Sequence, residues 1–163
     1  MSTNVAAGKL MPLGKLHFGR KQTQPPRSML KDFYRRAEHQ LEHPILWFDS
    51  AKRQVISDAF AEVVKSQRYT CFACAILANH AHLIIRKHRD HAEDMIFTLR
   101  KDSAKWLRRL ADVPNNHPVW SSDQFKKYLN TPHDIDRTIR YVEDNPAKSN
   151  LSPQQFNYVK RFQ

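Results

Sequence analysis

Apolar positions along the chain follow three separate patterns. From Asp49 and Ser50 onward, Val55, Ile56, Ala59, Phe60, Val63 and Val64 recur at helical spacing, while Lys52, Arg53, Asp58, Glu62 and Lys65 take the other face. This predicts a scaffold helix that lays one stripe on a sheet. Residues 69–77, YTCFACAIL, are almost wholly apolar or aromatic, as a buried strand should be. Ala78 and Asn79 mark a turn or irregularity, and 82–86 resume the run, so two adjacent strands and one kinked strand fit equally well. After Asp90 a long amphipathic helix is expected, with Met95, Ile96, Leu99, Trp106, Leu107 and Leu110 inside. Arg100, Lys101, Lys105, Arg108 and Arg109 decorate its outer face.

The remaining stretches are punctuated by breakers. Residues 1–30 hold every glycine of the chain (Gly8, Gly14 and Gly19), the Pro25-Pro26 pair, and five Lys or Arg with no acid, which predicts a basic, partly flexible arm. A short helix is expected over 28–43, ended by Pro44. Residues 113–116 break the long helix, and HPVWSSDQFKKYLN should hold one or two short strands around a Ser-Ser-Asp turn. Thr131, Pro132 and Asp134 then read as N-cap, first helical residue and N3 of a last helix, which Asn145-Pro146 ends near Asp144. Helices alternating with short strands imply an α+β fold in one domain over 31–163.

Composition narrows the function classes. A chain of 163 residues with 40% hydrophobic content can bury a core without disulfides or a structural metal. No run approaches the roughly 18 apolar residues of a membrane span, and MSTNVAAGKLMPLGK has no sustained apolar stretch, so a soluble, cytoplasmic protein is expected. Cys71 and Cys74 form a lone C-x-x-C, without the second pair that a structural zinc site wants. The net charge of +11 suits a polyanionic partner, nucleic acid first.

Two constellations carry chemistry. His80 and His82 lie two apart on an extended segment, so both imidazoles face one side of the sheet and make up two-thirds of a metal site. The competing reading is a pair of histidines satisfied by backbone or carboxylate partners. Tyr141 and Asn145 are i and i+4 on the last helix, hence stacked on one face. A phenol with an ordinary pKa near 10 needs help as a nucleophile, and a cation polarising a phosphodiester gives it. Asn145 offers a carbonyl oxygen as a third ligand, and Arg137 and Arg140 could hold phosphates. The competing reading packs Tyr141 on the core and uses Asn145 as a helix cap.

Asn79-His80-Ala81-His82-Leu83 at the end of an apolar strand, a basic helix, and then a terminal helix with Arg140-Tyr141-Val142-Glu143-Asp144-Asn145-Pro146 resemble one family in this order. It is the single-tyrosine HUH transposases (IS200/IS605-like), in their REP-associated tyrosine transposase branch. Pro118-Val119-Trp120, the stretch from Phe125 to Leu129, and Arg86-Lys87-His88-Arg89-Asp90 are similar too, so the resemblance spans about 45–163. It implies one ferredoxin-like domain, an antiparallel sheet with helices packed on one face; the strand with which relatives open has no counterpart before Leu46. It also implies that His80, His82 and Asn145 bind Mg²⁺ or Mn²⁺, and that Tyr141 attacks single-stranded or hairpin DNA to leave a 5′-phosphotyrosine and a free 3′-OH. Arg86, Lys87, Arg100, Lys101, Lys105, Arg108, Arg109, Arg137, Arg140 and Lys148 are the expected DNA contacts. A homodimer is left open. Two other functions are weighed: a non-catalytic, domesticated or decayed hairpin-DNA-binding protein, and a metal-dependent hydrolase with a water nucleophile.

Overall fold

The computed structural model describes Met1 and residues 43–109, 113–121 and 125–163. Five elements follow in chain order: α1 (Ser50–Ser66), β1 (Cys71–Ile76), β2 (Ala81–Ile85), α2 (Ala92–Leu107) and α3 (Pro132–Lys148). Among the described residues the architecture is α+β, a two-stranded antiparallel sheet with three helices. Of the two alternatives for 69–86, the chain takes two strands, joined by a turn through Ala78 and Asn79. No helix among the described residues is long and apolar enough to cross a membrane. The predicted arm beyond Met1, the predicted helix over 28–43 apart from His43, Leu110 and most of the Ser-Ser-Asp turn lie outside the described residues.

Helix α1 starts where a cap residue permits it. The Asp49 carboxylate accepts from the Lys52 backbone N–H at 2.8 Å, and that bond holds its carboxyl below the usual range. Lys52, expected on the solvent face, is buried instead; its Nζ folds back onto Asp49 Oδ2 at 2.9 Å. The helix ends on Arg68 in the left-handed region, φ 58°, with Arg68 N–H donating to Lys65 O and Tyr69 N–H to Val64 O.

Two hydrophobic clusters sit on opposite faces of the sheet. Ile56, Phe60 and Val63 of α1, Leu99 and Leu107 of α2, and Cys71, Cys74, Ile76 and Ala81 of the strands form the larger one. Ala73, Ala75 and Ile84 meet Val142 of α3 in the smaller. The expectation of helices on one face is therefore corrected: α1 and α2 cover one face and α3 the other. The physical reason lies in β1 itself, whose CFACAI is apolar at consecutive rather than alternate positions, as strands covered on both faces are. A bulge between Cys71 and Ala73 lets both point into cores on opposite sides.

Two further expectations are revised. Among the described residues, 117–121 and 125–130 carry no strand; Val119 and Trp120 are core residues instead, Trp120 packing edge-on against Phe48 at 5.3 Å and donating Nε1–H to Ser103 Oγ. Helix α3 does start on Thr131, whose Oγ1 accepts from the Asp134 N–H at 3.1 Å, but it runs through Pro146 to Lys148. A proline two residues before the last removes only one N–H, the one that would have reached Val142 O. The stop is Asn150, in the left-handed region at φ 56°, with Asn150 N–H bonded to Ala147 O and Leu151 N–H to Pro146 O.

Both edges of the sheet carry partners. The Gln154 side chain bonds the N–H and the C=O of Ile76, at 2.9 and 2.8 Å, and Lys160 N–H reaches Cys71 O. On the β2 side Met1 exchanges two bonds with Ala81, its amine donating at 2.6 Å and its carbonyl accepting at 2.8 Å. That reciprocal exchange is the geometry of an antiparallel strand pair.

Candidate functional site

Strand β2 places Ala81 and Leu83 toward the larger cluster, so alternation turns His82 and Ile84 toward α3. The His80 and His82 rings stand edge-on with centroids 5.0 Å apart. His82 in turn meets the ring of Tyr141 on α3, edge-on at 6.0 Å. The two sequence constellations thus converge in space, His80 to His82 to Tyr141. Tyr141 is 52% exposed, so it does not pack as a core residue. Asn145, one turn further along α3, is buried at 7% beside Val142 and Pro146. It does not cap the helix by its side chain; its backbone carbonyl accepts from Ser149 N–H instead.

The histidines differ in surroundings. His80 Nδ1 lies 2.8 Å from Asn79 Oδ1, a carbonyl oxygen that can only accept. With Asn79 Oδ1 as the acceptor, that bond puts the imidazole proton on Nδ1 and the lone pair on Nε2, the arrangement that orients a metal-binding histidine. Asn79 is itself buried. Its role follows from the atom it faces, and its only signal in the sequence is its place directly before His80. The imidazole of His82 is pushed down to about 4, first by burial and then by the nearby amino group of Met1, so it is neutral at pH 7. The Met1 amine is pushed down to about 6, first by burial and then by Arg100.

Among the described residues no group of three His, Cys, Asp or Glu is arranged to hold a metal ion. Among the described residues, a third protein donor beside the histidine pair would be an amide or a hydroxyl. Asn145 fits in chemistry: its Nδ2 end is buried with no hydrogen-bond partner among the described residues, and the two ends of an amide exchange places by a flip. Two neutral imidazoles and an amide oxygen make a weak, uncharged donor set, open to water and phosphate oxygens.

The predicted DNA contacts separate into groups. Lys148 is at the site, its Nζ 5.2 Å from the Tyr141 ring centroid and 3.7 Å from Asp144 Oδ2. Arg137, one turn before Tyr141, pairs with Asp134 at 2.8 Å. Arg140 is exposed and lines a groove with Lys160, Arg161 and Phe162. Arg86 and Lys87 are exposed just past β2. Lys101, Lys105 and Arg109 are exposed four residues apart on α2 and its C-terminal end, Arg109 lying over Trp106 at 5.9 Å. Arg100 is half-buried, which pushes its pKa down. Arg108 donates to His117 O at 3.2 Å.

Cys71 and Cys74 are free thiols in the core. Burial pushes Cys71 up to about 12 and Cys74 further, so neither offers a thiolate. Comparison with protein-family models, curated proteins and solved structures gave no match to this chain.

Proposed function

We propose that this chain is a metal-dependent single-stranded DNA transposase of the single-tyrosine HUH kind, with Tyr141 as nucleophile. The observation that carries the reading is the contact series His80, His82, Tyr141, joining a histidine pair on one strand to a half-exposed tyrosine on a helix far along the chain. His80, His82 and Asn145 would hold Mg²⁺ or Mn²⁺, whose contribution when bound is to polarise the scissile phosphodiester. The Tyr141 oxygen forms a bond to phosphorus and gives its proton to solvent. The bond from phosphorus to the 3′-oxygen breaks, and that oxygen takes up a proton to leave as a 3′-OH. The 5′-phosphotyrosine keeps the energy of the diester, so the reverse attack by a 3′-OH rejoins strands without ATP.

Asn79 fixes the His80 tautomer, and Lys148 sets a positive charge beside the phenol for the phosphate. In this reading β1 and β2 belong to a ferredoxin-like sheet that takes a further strand along β2, and the basic residues of α2 hold the DNA backbone.

The test is covalent trapping. Wild-type protein, a hairpin oligonucleotide with a single-stranded flank and Mn²⁺ should give a labelled adduct that survives denaturation. EDTA, Tyr141→Phe and His82→Ala should each abolish it. Normal DNA binding without an adduct favours the non-catalytic binding protein. Cleavage that persists in Tyr141→Phe favours the hydrolase with a water nucleophile.

A further inference from the structure

Among the described residues the most exposed large aromatic side chains are Phe125 at 88%, Tyr128 at 68% and Phe97 at 65%, ahead of Tyr141 and Trp47. Their placement is not scattered. Lys126 makes an ion pair with Glu93, tying the 125–128 strip to the first turn of α2. Glu93, Phe97, Lys101 and Lys105 follow at intervals of four, so they share one exposed face of that helix. The acid of this face is neutralised by Lys126, which leaves an aromatic ring followed by two bases. Lys127 is exposed between Phe125 and Tyr128. At the other end of the strip, Leu129 packs against the cluster of Ala73, Ala75, Ile84 and Val142. The strip therefore runs from the start of α2 to the face of the sheet where Tyr141, next to Val142, meets His82.

Exposed rings interleaved with lysines, on a chain of net charge +11, match single-stranded nucleic acid. Rings stack on unpaired bases of any sequence, while the ammonium groups follow the phosphates. A duplex, with its bases already stacked, would use only the lysines. We propose that Phe97, Phe125 and Tyr128 form a base-stacking track that leads single-stranded DNA toward Tyr141, with Lys101 and Lys127 on its phosphates. The inference rests on the reading of DNA as the partner and is independent of cleavage.

The experiment measures binding without chemistry, in the Tyr141→Phe background with EDTA, so that a failure of the cleavage reading leaves it unaffected. Two fluorescent probes of about 16 nucleotides are compared, an oligothymidylate and an abasic strand of the same length. Phe97→Ala, Phe125→Ala and Tyr128→Ala should each weaken oligothymidylate binding about five- to a hundredfold and leave the abasic strand unaffected. Phe125→Trp should retain full affinity, and Lys101→Ala or Lys127→Ala should weaken both probes equally. Circular dichroism of the variants should match the parent, since all three rings are exposed. The proposal is overturned if the alanine variants bind oligothymidylate as the parent does, if they lose both probes alike, or if the parent binds neither.

Discussion

The rings of His82 and Tyr141 meet edge to face at 82°, one from β2 and one from α3. This contact uses the tyrosine ring and not its oxygen, so removal of the oxygen leaves it in place. We expect Tyr141→Phe to change stability by less than about 1 kcal/mol, as the loss of one exposed hydroxyl should. Tyr141→Ala should cost more, by loss of the ring contacts to His82 and to the Lys148 ammonium. Urea unfolding of the two variants checks the difference; equal losses would show that the ring is not held there.

Partial burial of His82 should make the protein acid-sensitive. The unfolded chain takes up this proton near 6.5, the folded chain only near 4, so the fold binds fewer protons in between. Stability contributed by neutral His82 is fully present above about 6.5 and is lost as pH falls toward 4, by roughly 3 kcal/mol in all. The Met1 amine acts in the same sense between about 8 and about 6. Urea midpoints of the wild type should fall through pH 6 and 5, while His82→Gln should show a shallower decline. Parallel curves would contradict the burial of this imidazole.

In the proposed metal site Asn79 acts through His80 rather than as a ligand. With its amide replaced, the His80 ring loses the acceptor that holds its tautomer. Asn79→Ala should lower Mn²⁺ affinity by about 10- to 100-fold in calorimetric titration. Tyr141→Phe should leave that affinity unchanged, and an Asn79→Ala protein that binds Mn²⁺ normally would exclude the role.

Basic residues of α2 that look alike in the sequence should behave differently. Lys101→Ala, Lys105→Ala and Arg109→Ala should each lower the salt slope of single-stranded DNA binding by about 0.7 and leave thermal stability unchanged. Arg108→Ala removes the bond to His117 O and should destabilise the fold by about 1–3 kcal/mol with little effect on that slope. Titrations at several salt concentrations and thermal melts separate the two groups.

That contrast marks how far sequence reasoning reaches. Periodicity finds α1, the two apolar runs, α2 and the capped start of α3, because each depends on neighbours within a few residues. The H-x-H spacing and the i, i+4 pair of Tyr141 and Asn145 single out candidates that the structure brings into a series of ring contacts, His80 to His82 to Tyr141. Arg108 reads as a solvated base because its partner, His117, is reached through a turn that no local pattern reveals. The end of α3 is misplaced for a related reason: Asn145-Pro146 is the stronger local breaker, yet the bonds that close the helix depend on the left-handed turn at Asn150. Phe97 and Phe125 are core-type residues by composition, and only their exposure distinguishes them from Phe48 and Phe60.

Gln154 gives the sheet a direction. A side-chain amide carries the same donor and acceptor as a peptide unit, and here it docks where a neighbouring strand would place one, on Ile76. Gln154 thus plugs the outer border of β1 at Ile76, and the segment at Val159 and Lys160, bridged in parallel to Cys71, closes it at the other end. Lateral growth is blocked on that flank. Any strand that joins this pair must arrive along β2, on the flank where Met1 already grips Ala81, and must lie directly beside the histidines.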